Sequence, residues 1–209
     1  MLLDLFPLNT VLFPGSAMPL HIFEPRYLAM VGQCLEEDRR LGIILLRKGR
    51  AEGGGEVEIH EVGTVAEIVG ANHRADGSVG IQIVGRERFL VRDVTQRRPR
   101  LIAEVDLLEW YPDDARAEAV EELRREFGEY WRRLLEATGQ WSRQMSMPDS
   151  PRDMAETVGA GVQIDASRRQ LLLEQRTLGD LVKLELEVLR TQIPKLLKAR
   201  AAREQQRSN

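Results

Sequence analysis

Leu5-Phe6-Pro7-Leu8-Asn9-Thr10-Val11-Leu12-Phe13-Pro14-Gly15 is followed, two residues on, by Met18-Pro19-Leu20-His21-Ile22-Phe23-Glu24-Pro25-Arg26-Tyr27. Apolar runs of strand length are cut by prolines at 7, 14, 19 and 25. Proline has no backbone donor and fixes φ, so Pro7, Pro14 and Pro19 each restrict where a sheet ladder runs. Pro14-Gly15 suits a tight turn, and Pro25 fits the first turn of a helix. These prolines read as punctuation of the fold rather than as a site.

Outward from this stretch, residues 1 to about 110 read as short strands separated by turns, interrupted by one helix. That helix starts near Pro25 and buries Tyr27, Val31, Cys34 and Leu35 on one face. Leu41 to Leu46 is a continuous apolar run, as expected of a strand buried on both faces. Gly63 to Val69 and Val79 to Val84 form a hairpin whose turn holds Asp76-Gly77, a pair that tolerates positive φ. Phe89 to Val94 and the alternating run Leu101 to Leu108 complete a set large enough to close a small barrel.

After Trp110-Tyr111-Pro112 the apolar period changes from two to about 3.6 residues, the helical value. Asp113 or Asp114 is placed to cap a helix that carries Val120, Leu123, Phe127, Tyr130, Trp131, Leu134 and Leu135 and stops at Gly139. Ser150-Pro151-Arg152-Asp153, Asp165 and Thr177-Leu178-Gly179-Asp180 mark three further helix starts. Pro194 lacks a donor and is expected to kink or end the last helix. The fold class is therefore α+β: a strongly bent antiparallel sheet or pseudo-barrel with one helix at 1–110, a helical bundle at 111–205, and a frayed tail at 206–209.

A chain of 209 residues, 43% hydrophobic, is long enough for a real core. Its formal net charge of −3 argues against a globally basic nucleic-acid binder. Cys34 has no partner for an intramolecular disulfide, no basic leader precedes the first strand, and no uncharged run reaches membrane-spanning length. A cytoplasmic protein without membrane segments is expected.

The opening stretch resembles the substrate-binding domain of Lon proteases, whose pattern includes a proline before an apolar strand and then Phe-Glu-Pro-Arg-Tyr. Gly63-Thr64-Val65-Ala66-Glu67-Ile68, Asp76-Gly77 and Val84-Gly85-Arg86-Glu87-Arg88-Phe89 are similar to the middle of that domain. Met154-Ala155-Glu156-Thr157-Val158, Ile164-Asp165 and Arg169-Gln170-Leu171-Leu172-Leu173-Glu174 are similar to its helical part. The resemblance covers nearly the whole chain. It implies a PUA-like β subdomain, a helical bundle, and a non-enzymatic role in contacting unfolded or partner polypeptides, here as a stand-alone domain.

The ATPase and peptidase of a full Lon are not found in these residues. No Gly-x-x-x-x-Gly-Lys-Ser/Thr occurs to cradle nucleotide phosphates, and Gly53-Gly54-Gly55 leads toward a strand without the lysine. Three of four lysines, Lys183, Lys195 and Lys198, lie on the last helix and tail, and Lys48 adjoins a glycine-rich loop, so no serine-lysine pair on a rigid frame is evident. No enzymatic activity, catalytic residue or cofactor is expected. His21, His60 and His73 lack ligand spacing, so no metal site is expected either. Glu24 and Arg26 flank Pro25 and are read as a local ion pair.

Two groups remain as candidate contacts. Trp141, Met145 and Met147 are large apolar residues in a polar linker, suited either to polypeptide segments or to filling a seam between subdomains. Arg86, Arg88, Arg97 and Arg98, with Arg92 and Arg100 nearby, form the one strong basic concentration and are candidate anion contacts. An RNA-binding PUA-like module is therefore the first alternative, although aromatic stacking partners are not interleaved. A small-ligand or regulatory adaptor, a role found among LON-containing proteins, is the second.

Overall fold

The structure is a computed structural model that describes residues 1–37, 40–49, 57–109, 114–138 and 147–207, with side chains to residue 198. It divides into two compact units, residues 1–109 with 163–174, and residues 110–162 with 175–209. Glycine-rich residues 53–55, Asp113, Gly139, Trp141 and Met145 lie outside the described residues.

The first unit holds β1 (Leu2–Leu8), β2 (Ala17–Ile22), α1 (Pro25–Glu36), β3 (Arg40–Lys48), β4 (Glu58–His73), β5 (Val79–Gln96), β6 (Leu101–Leu108) and α4 (Ala166–Leu173). The strands run in the order β2-β5-β4-β3-β1-β6, and β5 also pairs with β6. The sheet therefore closes as a ring of β5, β4, β3, β1 and β6, with β2 attached outside it. It is mixed rather than purely antiparallel, because β1 and β3 pair in parallel with Leu5 opposite Gly42 and Leu8 opposite Leu45.

A closed sheet with a helix against it has two apolar layers, and the strands show both. Leu41 and Ile43 belong to the cluster under α1 that includes Tyr27, Met30, Val31, Cys34, Ile68 and Ile83. Ile44, on the opposite side of β3, belongs to the cluster of Leu5, Val65, Phe89, Leu101 and Val105. This is why 41–46 is apolar without alternation. Leu35, expected in the core, is only partly covered, and Met30 takes the buried place.

Residues 79–94, read as two strands, lie within one 18-residue strand, Val79–Gln96. Its first half pairs with β2 and its second with β6. The change falls at Gly85, where an added Cβ would stand 2.2 Å from the Phe13 carbonyl oxygen. The turn at Phe13-Pro14-Gly15-Ser16 closes with Ser16 N–H donating to the Phe13 carbonyl, and Gly15 has φ +71°, the type II pattern. Gly15 N–H then donates to the Gly85 carbonyl, and Gly85 N–H to the Ser16 carbonyl. In the β4–β5 turn Gly77 has φ +83°, and the Asp76 carboxylate accepts from Ser78 N–H and Oγ–H. Those hydrogen bonds hold its carboxyl below the usual carboxylate range.

Helix α4 belongs to the same compact unit as the strands. Asp165 caps its start through Arg168 N–H. Gln170 is buried and donates to the Val62 carbonyl at 2.9 Å, and Arg88 donates to the Leu173 carbonyl at 2.7 Å. A guanidinium at a helix C-terminus meets both an open carbonyl and the negative end of the dipole. In the run Arg169-Gln170-Leu171-Leu172-Leu173-Glu174, Gln170, Leu172 and Leu173 are buried while Leu171 is exposed.

The second unit holds α2 (Ala117–Thr138), α3 (Pro151–Gly161) and α5 (Leu178–Arg207). Helix α2 buries Val120, Leu123, Phe127, Tyr130, Leu134 and Ala137. Ser150 and Thr177 cap α3 and α5 through Asp153 and Asp180 N–H. Asp114 does not cap the helix that follows it: its carboxylate accepts from Gly179 N–H at the start of α5, which lowers its pKa. Pro194 does not end α5, which continues through to Arg207 with Pro194 inside it. A proline costs one helical hydrogen bond and a local clash, and the turns on both sides stay intact. Among the described residues no helix is long and apolar enough to cross a membrane.

Candidate functional site

Between Asp4 and Glu36 the sequence holds, besides His21, only two charged side chains, Glu24 and Arg26, in a chain that is 30% charged. These two neutralise each other: Arg26 meets Glu24 at 3.0 Å and lies over the Tyr27 ring, 4.4 Å from its centroid. A helix at a protein surface ordinarily turns charged residues outward. On α1 the exposed positions before Glu36 are Pro25, Ala29, Gly32 and Gln33, none of them charged.

Apolar side chains flank this face. Met18 and Leu20 from β2, and Leu28 and Leu35 from α1, pack on the core cluster but stay partly exposed. Phe23, in the link from β2 to α1, is 53% exposed. Its ring stacks on His21 with centroids 5.9 Å apart. A strand, a link and a helix in succession thus present a largely apolar surface, with the Arg100 guanidinium donating to Gln33 at 2.6 Å. An exposed apolar surface of this kind is chemically suited to contact apolar segments, and among the described residues no group of three or more His, Cys, Asp or Glu is placed to hold a metal ion.

The residues singled out from sequence fall elsewhere. Met147 lies in the helical unit, its methyl 3.3 Å from where a Cβ on Gly128 of α2 would be. The residues after it are tied to the same helix, Arg124 donating to the Pro148 carbonyl at 2.6 Å. Of the arginines, Arg88 is excluded as an anion contact, because it is 2% exposed and engaged with α4. Arg86 meets Glu67 at 2.7 Å, Arg92 meets Asp106 at 2.5 Å, and Arg100 meets Asp4 at 2.7 Å. Arg97 and Arg98 are exposed. The basic concentration in sequence is therefore mostly neutralised on the surface.

In the helical unit a concavity of about 400 Å³ is lined by Ala115, Ala119, Val182 and Leu186 together with charged residues such as Arg116 and Lys183. The unit also buries Glu185 completely, with neither carboxylate oxygen in a hydrogen bond. Burial pushes this carboxyl well above its ordinary pKa, and the nearby Glu156 adds to the rise. The Gly159 backbone N–H offsets part of it without reaching hydrogen-bond geometry.

Comparison with known proteins places this architecture. A family model described as the ATP-dependent protease La (LON) substrate-binding domain matches residues 3–191. The chain belongs to the LON substrate-binding domain family. Among curated relatives, this LON domain is 28% identical over 197 residues to Lon protease 2 of Myxococcus xanthus, and 27% identical over 194 residues to Lon protease of Anaeromyxobacter dehalogenans. Each match covers 90% of this chain and 23% of the relative, so the chain spans about a quarter of their length. Among solved structures, the Lon N-terminal domain protein from Xanthomonas campestris superposes with a TM-score of 0.68 at 23% identity. The N-terminal domain of Mycobacterium avium complex Lon protease gives 0.65 at 17%. Both comparisons cover 90% of this chain and 98% of the other, and they show the shared fold.

Proposed function

We propose that this LON domain is a non-catalytic recognition module that holds uncharged, apolar segments of unfolded or partner polypeptides on the surface formed by β2, Phe23 and α1. The observation that carries this reading is the outward face of α1, which displays Pro25, Ala29, Gly32 and Gln33 where a solvated helix would display charge. Phe23 adds a large exposed aromatic, the residue class that anchors interfaces. The family description as a substrate-binding domain supports the same conclusion. The module acts without a cofactor, in the cytoplasm, and its clients are proteins.

The test is fluorescence anisotropy of a labelled, reduced and carboxymethylated protein titrated with the LON domain, beside an equal titration of labelled single-stranded RNA. Saturable binding of the unfolded protein, insensitive to salt and lost in Phe23→Ser, is the expected outcome. Binding of RNA alone, with steep salt dependence, would overturn it in favour of contacts through Arg97 and Arg98.

A further inference from the structure

We propose that β2 is a sheet edge that refuses an added strand, so that polypeptide on this surface is held through its side chains, and that Pro19 is the residue responsible. This rests on the polypeptide-binding reading above. The ladder between β2 and β5 has a fixed phase. Gly85 N–H donates to the Ser16 carbonyl at 2.9 Å, and the register runs from Ala17 opposite Val84 to Ile22 opposite Val79. Hydrogen-bonded and non-hydrogen-bonded pairs alternate in an antiparallel ladder. Counting from Ser16, Met18, Leu20 and Ile22 direct their backbone groups to β5, while Ala17, Pro19 and His21 direct theirs to the opposite edge.

Among the described residues no strand pairs with that opposite edge. An unprotected edge of this kind accepts other chains by strand addition. Here the middle donor of three is missing, because residue 19 is proline. An incoming strand would find N–H groups only at 17 and 21, about 13 Å apart at the usual rise per residue. The side chains offer more. Met18 and Leu20 point to the core side and are only partly covered, with Phe23, Leu28 and Leu35 following along the chain. Glu24 and Arg26 cancel, and Arg100, which donates to Gln33 at 2.6 Å, is itself paired with Asp4, so the match of this surface is an uncharged apolar segment.

The experiment compares three labelled nonapeptides built from leucine, phenylalanine, alanine and serine: one with all amides, and two with every second amide replaced by an ester, one in each register. An ester removes an N–H donor while keeping the side chains. Both ester peptides are expected to bind within about threefold of the all-amide peptide, since no strand ladder is broken. A loss of about tenfold or more in either register would show that strand pairing holds the peptide and would overturn the proposal. Failure of the all-amide peptide to bind would instead overturn the polypeptide-binding reading itself. Pro19→Val restores the missing donor and is expected to make binding ester-sensitive or the protein self-associating. A variant that stays monomeric and ester-insensitive would show that Pro19 is not the guard.

Discussion

Glu185→Gln should change how the stability of the helical unit depends on pH, and the structure fixes the sign. Glu185 is fully buried with neither oxygen hydrogen-bonded, and its carboxyl titrates well above the ordinary value. Between the unfolded carboxyl's pKa, about 4.3, and the raised folded pKa, the native state holds a proton that the unfolded state has released. More protons are then bound in the native state, so stability falls as pH rises through that window. For one proton the limiting slope is about 1.4 kcal/mol per pH unit. Glutamine keeps the shape without titrating. The stability of the natural protein relative to Glu185→Gln should therefore decline as pH rises through that window. Trp131, on α2, belongs to the unit that contains Glu185, so tryptophan fluorescence reports the relevant transition. Urea unfolding at a series of pH values, followed by this signal, measures the difference. Parallel pH profiles for the two proteins would refute the reasoning, because they would mean that Glu185 titrates alike folded and unfolded.

Four further substitutions probe the other unit. Arg88→Met keeps volume but leaves the Leu173 carbonyl without its charged donor, and should cost about 1.5–3 kcal/mol in denaturant unfolding, whereas Arg98→Gln on the surface should stay within about 0.5 kcal/mol. Gly85→Ala places a methyl 2.2 Å from the Phe13 carbonyl oxygen and should cost about 1–3 kcal/mol, seen as a lower thermal midpoint. Phe23→Ser should leave the thermal midpoint nearly unchanged while abolishing capture of an unfolded protein, because the ring is 53% exposed. A large stability loss in that variant would assign Phe23 to the core instead.

Features set by neighbours in sequence were legible in it. The Pro14-Gly15 turn, the entry of α1 at Pro25, and the caps at Ser150, Asp165 and Thr177 each depend on residues within four positions. The two-sided burial of 41–46 was legible because both faces of one strand leave an uninterrupted apolar run. Long-range partners were not. Arg88 reads as a surface cation until α4 arrives 85 residues later, and Asp114 reads as a cap for α2 until Gly179 claims it. The same holds for α4, whose helical period is the same whether it packs on strands or on helices. The surface at β2 and α1 left a trace in the near absence of charge from 5 to 35. Its meaning required the topology, because an apolar helix face is ordinarily a covered one, and β2 had to be known as an edge.

The location of polypeptide binding is tested most directly by photo-crosslinking. p-Benzoylphenylalanine placed at Ala29, on the uncharged face of α1, should form adducts with a labelled unfolded protein. The same group at Arg98, on the turn between β5 and β6, should form none. Adducts at 98 and none at 29 would contradict the account.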